Sequence, residues 1–170
     1  MKTLYILRHA KSSWNDPSLA DFDRPLNERG LNAAPFIGEV MARKGVVADL
    51  IISSPAKRTM ETAVLVKEAS GSNASIQYDE RIYEASNQTL RLVISQIADK
   101  IESVLIVGHN PGMEGLINLL TGRVEPMPTA ALAAIVLDID GWDEISAKCG
   151  TLQFVIRPSE EMKVLGKLDS

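Results

Sequence analysis

The sequence predicts an α/β fold: a single three-layer domain with a mostly parallel central sheet, helices on both faces, a late antiparallel strand and no lid domain. Three observations lead there. Short apolar runs that read as strands alternate with segments of helical apolar spacing. One run, residues 104–107, is apolar throughout, as in a strand covered on both faces of a parallel sheet. A length of 170 residues supports one sizeable core without calling for a second domain. Residues 1–158 make up this domain, and 159–170 read as a polar tail.

The elements follow in order. Residues 3–7 form the first strand, and a polar loop runs to Leu26. From Glu28 to Arg43, Leu31, Ala34, Ile37, Val40 and Met41 keep helical spacing, with Asn27 as N-cap, Gly45 as stop and Pro35 as an interior kink. Residues 49–53 are the next strand. Ser54-Pro55 reads as a cap followed by a first-turn proline, opening a helix to about Ala69. A short strand at 76–78, a loop at 79–87 and a helix at 89–101 follow. After strand 104–107, Asn110-Pro111 repeats the cap-plus-proline pattern for a helix ending at Gly122. Residues 131–137 and 152–156 are the late strands, joined through a turn at Asp140-Gly141. With no helix between them they are antiparallel.

Composition narrows the function. A net charge of -4 argues against a general nucleic-acid binder, though not against a local basic pocket. Cys149 is the lone cysteine, so an internal disulfide and a cysteine zinc cluster are both excluded. No apolar run reaches membrane-spanning length and no targeting segment is visible, so a cytoplasmic protein is expected.

The chemistry gathers at strand ends. In an open α/β sheet, ligands bind beyond the carboxyl ends of the strands. The ends after Leu7, Ile52 and Val107 face one rim, and both histidines of the chain stand there. Arg8-His9-Ala10-Lys11-Ser12-Ser13-Trp14-Asn15 offers guanidinium, imidazole, ammonium, hydroxyls and an amide, all suited to a phosphoryl group. Arg58 sits in the first turn of a helix, where the electropositive N-terminus disfavours a cation. It either awaits an anion or pairs with a surface carboxylate such as Glu61, at helical spacing from it. His109 precedes a helix N-terminus, placed either to donate to a phosphate oxygen or to cap and pack.

Four segments in order carry a resemblance: 8–15, Pro25-Leu26-Asn27-Glu28-Arg29-Gly30, Ser53-Ser54-Pro55-Ala56-Lys57-Arg58-Thr59-Met60-Glu61-Thr62, and Val107-Gly108-His109-Asn110-Pro111. Together they resemble the histidine phosphatase superfamily, at its usual distances. The short chain and the Trp142…Gly150-Thr151-Leu152 region resemble its SixA-like phosphohistidine phosphatase branch. The resemblance runs from Thr3 to about Pro158. It implies that His9 is the nucleophile, attacking phosphorus through Nε2 to give a transient phosphohistidine. Arg8, Arg58 and His109 complete the phosphate pocket, Asn15 adds a phosphate contact and Ser12 assists. Most of the superfamily has glycine where Ala10 stands, so position 10 should avoid a glycine-only conformation. A general acid is expected on the loop after the third strand. Glu80 and Glu84 both stand there, and Glu84 fits the family spacing better. The alternative is that both are solvated loop carboxylates.

Physical chemistry fits that reading. Phosphoryl transfer needs positioning and charge neutralisation, and arginines supply rigid bidentate donors. Attack by Nε2 requires a neutral ring whose Nδ1–H is held by a backbone carbonyl. Two arginines and a histidine supply the positive charge, so neither metal nor other cofactor is expected. The resemblance implies removal of a phosphoryl group from a phosphohistidine-bearing protein, and loops 10–26 and 79–88, too short for a lid, are expected to leave the site open to a protein surface. A small phosphomonoester, or phospho-ligand binding without turnover, are the alternatives. Asp138-Ile139-Asp140-Gly141 mimics an aspartyl-nucleophile motif, but too little chain follows to complete such a site.

Overall fold

The structure is a computed structural model that describes residues 1–164. Six strands form one sheet in the order β3-β2-β4-β1-β5-β6. They are β1 (Lys2–Arg8), β2 (Leu50–Ser53), β3 (Ser75–Tyr78), β4 (Ser103–Gly108), β5 (Leu132–Leu137) and β6 (Gly150–Ile156). β1 to β4 run parallel, and β5 is antiparallel to both β1 and β6. The late antiparallel strand expected from the sequence is therefore β5, inserted between β1 and the edge.

Strand alternation builds two cores. Leu4 and Ile6 of β1, Leu50 and Ile52 of β2, and Val104 and Ile106 of β4 point to one face, under α3 (Asn87–Ser95) and α4 (Gly112–Thr121). Leu7, Ile51, Leu105 and Val107 point to the other, under α1 (Glu28–Lys44) and α2 (Lys57–Ser70). These are the three layers. Trp142 is fully buried on the α3/α4 side and donates through Nε1 to Ile101 O at 2.7 Å. Among the described residues, no helix is long and apolar enough to cross a membrane.

Several boundaries differ from expectation. Asn27 caps α1, its side chain accepting from Gly30 N, and Gly45 ends it in the left-handed conformation as expected. Leu31, assigned to the buried face of α1, is 46 % exposed. Gly30, Phe36 and Gly38 are buried instead, because α1 packs against both α2 and the loop after β1. α2 starts two residues later than expected, with Ala56 as N-cap, and Ser54 Oγ accepts from Ala56 N at 3.2 Å. α4 likewise begins at Gly112 with Pro111 as N-cap, while Asn110 Oδ1 still accepts from Glu114 N. α3 stops at Ser95 rather than Ile101. Ile97 and Ile101 keep facing the core from a turn, so apolar spacing outlasts the helix. Residues 159–164, read as the start of a polar tail, belong to a short helix α5 (Pro158–Val164) whose Met162 packs on the α1/α2-side core. The rest of the expected tail, 165–170, lies outside the described residues.

Candidate active site

Register decides the site. Leu7 pairs with Val107 and Arg8 with Gly108, while Ser53 also pairs with Val107. The carboxyl ends of β1, β4 and β2 are therefore level, and the next residues are His9, His109 and Ser54. His9 N donates to Gly108 O and Ser54 N to Val107 O, each at 3.0 Å, extending the ladder to the rim. The two imidazoles lie 5.3 Å apart, centroid to centroid.

His9 is buried, and its Nδ1 is 2.7 Å from the carbonyl of Ala10, which can only accept. Nδ1 therefore carries the proton and Nε2 the lone pair. Burial, outweighing that hydrogen bond and reinforced by Arg58, Arg8 and Arg24, pushes the imidazole down to about 4. The ring is neutral at physiological pH. Ala10 is fully buried, outside the left-handed region, and donates its N–H to Thr62 Oγ1 at 3.0 Å.

His109 is fixed from two sides. An arginine can only donate, so Arg58 Nη2, 3.3 Å away, bonds to an unprotonated Nδ1. Nε2–H then donates to Ser54 Oγ at 2.9 Å. Burial, reinforced by His9 and Arg58, holds this ring down to about 3. Arg8 reaches Met127 O through Nη1 at 3.1 Å, while its buried Nε has no partner among the described residues. Burial also lowers the Arg8 guanidinium from its usual range. Arg8, His9, Arg58 and His109 line a cavity of about 350 Å³, shared with Lys11, Ser12, Trp14, Asp21, Arg24, Asn110 and Thr129. Cationic and neutral donors around a small concave volume form a site for a tetrahedral oxyanion.

Not every expected residue is brought in. Arg8, His9, Ser12, Arg58 and His109 converge, with Ser12 Oγ accepting from Arg24 Nη2. Asn15 is exposed and outside the cavity lining, its N–H turned to Ser13 Oγ. Glu84 is exposed, has φ 54°, and also lies outside that lining, as does Glu80. The partner of Arg58 is not Glu61, whose Oε1 accepts instead from Leu26 N at 2.9 Å. It is Asp21, which accepts from Arg58 through its backbone oxygen at 2.7 Å and through Oδ2 at 3.0 Å. Asp21 also accepts from Arg24 and from the Tyr83 hydroxyl. Sequence reasoning missed Asp21, Arg24, Ser54 and Tyr83. The signal for the first two was position: they end the polar loop that starts at the β1 rim, directly before Pro25.

Residues 4–102 match the model of the histidine phosphatase superfamily (branch 1). The chain belongs to the histidine phosphatase superfamily. An uncharacterized chloroplastic protein of Arabidopsis thaliana is 32% identical over 158 residues, which are 88% of this chain and 72% of that one. The structure assigned as the phosphohistidine phosphatase SixA of Agrobacterium tumefaciens is 30% identical with a TM-score of 0.79, over 92% of this chain and 98% of that one. A protein histidine phosphatase SixA complexed with tungstate shares the fold at TM-score 0.81 and 19% identity, over 94% of this chain and 99% of that one. Membership and the SixA likeness together make this chain a phosphatase of that family. His109 lies beyond the stretch matched by the family model, so its place beside His9 rests on the β1–β4 register.

Proposed function

We propose that this phosphatase hydrolyses its substrate through a transient phosphohistidine on His9, without a metal, and that its substrate is a phosphohistidine-bearing protein. The observation that carries the reading is the 2.7 Å Nδ1–H bond to Ala10 O, which leaves Nε2 as the nucleophilic nitrogen beside Arg8, Arg58 and His109. Arg8, with an unpartnered buried N–H, and Arg58 neutralise the phosphoryl oxygens, and His109 stands 5.3 Å across from the attacking ring. Attack forms the Nε2–P bond and breaks the bond to the leaving group. Water then cleaves Nε2–P, releasing phosphate and restoring the neutral ring. The protein-substrate half of the reading is supported by the cavity opening at the rim beneath short loops and by the likeness to SixA proteins. Asn15 and Glu84, outside the lining, are given no role in the chemical step.

The test is turnover of p-nitrophenyl phosphate by wild type and His9→Ala, with and without a chelator. Wild type should turn over with or without chelator and be inhibited by tungstate. His9→Ala should be inactive, and an acid-free quench should trap a phosphoryl group on His9. Equal, negligible turnover by both forms would instead mean a phospho-ligand binder. Clear preference for a sugar phosphate over phosphorylated histidine-containing proteins would mean a small-molecule phosphomonoesterase.

A further inference from the structure

Resting on the reading of His9 as nucleophile, we propose that Asp21 is the specificity-determining residue. Its carboxylate receives the protonated imidazole of a phosphohistidine and so favours P–N over P–O substrates.

Asp21 is the only carboxylate among the described residues that line the cavity. Charged and titratable groups face it from several sides: Arg24 three residues on, Arg58 from α2, Tyr83 from the loop after β3, and His109 from the end of β4. The Tyr83 hydroxyl first, then the two guanidiniums, hold the Asp21 carboxyl down to about 2. Such a group has no proton to give an alkoxide, so it does not serve an ester as a general acid. It can accept a hydrogen bond from a cation. A carboxylate has about four acceptor sites. Three are taken by Arg24, Arg58 and Tyr83, and the side chain is 47% exposed at the cavity.

Aromatic rings stand close to this carboxylate. Trp14 is 77% exposed, with the Arg24 guanidinium 3.2 Å from its ring centroid. Outside the lining, Phe22 meets Tyr83 edge-on, and Tyr83 meets His109 edge-on. A fixed carboxylate attracts an imidazolium N–H and finds no donor on the bridging oxygen of a phosphate ester. The step balances without a proton transfer. His9 Nε2 bonds to phosphorus, the substrate P–N bond breaks, and its electron pair cancels the charge of the departing ring. The ring leaves as neutral imidazole, keeping the proton on its other nitrogen. The carboxylate acts before that event, keeping the bound ring protonated.

The experiment compares phosphoimidazole with p-nitrophenyl phosphate in wild type, Asp21→Asn and Asp21→Glu. Asp21→Asn should lose kcat/KM about tenfold more on phosphoimidazole than on the aryl ester, in line with loss of a charge-assisted hydrogen bond. Its kcat for phosphoimidazole should fall off at lower pH than wild type, because the bound ring deprotonates more easily, and Asp21→Glu should recover part of both effects. Equal loss on the two substrates, with an unmoved pH profile, would mean that Asp21 only positions Arg58, and would overturn the proposal. A wild type that turns over the aryl ester but not phosphoimidazole would overturn the phosphohistidine reading itself.

Discussion

Gly30→Ala tests how closely the start of α1 is moulded to the loop after β1. Asn27 N donates to Lys11 O at 2.9 Å, and Gly30 N donates to the Asn27 side chain at 2.9 Å, so the first turn of α1 docks on the chain just after His9 and Ala10. A Cβ on Gly30 would fall 2.2 Å from Lys11 O and 3.0 Å from Lys11 N. Ordinary contact starts at 3.4 Å, so the Lys11 carbonyl would have to withdraw by about 1 Å. Alanine is about 1 kcal/mol better than glycine inside a helix, whereas overpacking costs about 1–3 kcal/mol. The net stability loss should be about 1 kcal/mol. Catalysis should suffer more, because a shift of about 1 Å in a reacting group can cost about a hundredfold. Urea midpoints and kcat/KM on p-nitrophenyl phosphate read the two effects separately. Gly38→Ala is the control: its Cβ would meet Ala69 Cβ and Val66 O at 2.8 Å, away from the cavity, so it should lose stability with little change in kcat/KM. A Gly30→Ala protein as stable and as active as wild type would refute the reasoning.

Two further outcomes are expected. With only two histidines in the chain, NMR should resolve both imidazoles, titrating near 4 for His9 and near 3 for His109 in the free protein. Because both folded values lie below the unfolded value of about 6.5, their contribution to stability should be complete above that pH and be lost as pH falls toward 4. A midpoint near 6.5 for either ring would contradict the buried, cation-flanked geometry. Ser54→Ala should free His109 Nε2 and leave Ala56 N without its acceptor. A loss of about 1–3 kcal/mol in thermal unfolding experiments and a roughly tenfold fall in kcat are expected, and unchanged values of both would remove Ser54 from the site.

Much of the fold was legible because its signals are local. The apolar run of β4, the cap at Asn27 and the left-handed glycines at 45 and 122 each depend on neighbours a few residues away. The end of α3 was not legible, since Ile97 and Ile101 continue the helical spacing while packing from a turn. Nor was α5, whose seven residues gain their place from Met162 against a core assembled elsewhere. Leu31 fits the spacing of α1 but not its burial, because the loop at Lys11 covers Gly30 instead.

The site divides the same way. By itself the sequence determined the α/β class, the rim on which the candidate site stands and the residue types gathered there: two histidines, two arginines and a hydroxyl at the ends of β1, β2 and β4. Only the tertiary structure decided which partners those groups have. Arg58 pairs with Asp21 rather than the helically spaced Glu61, Glu84 stays in solvent, and Ala10 holds the His9 proton. The reason is reach. A strand or a helix turn is set by interactions within a few residues, whereas Asp21 meets Arg58 across 37 positions and Tyr83 across 62, distances along the chain that no local pattern encodes.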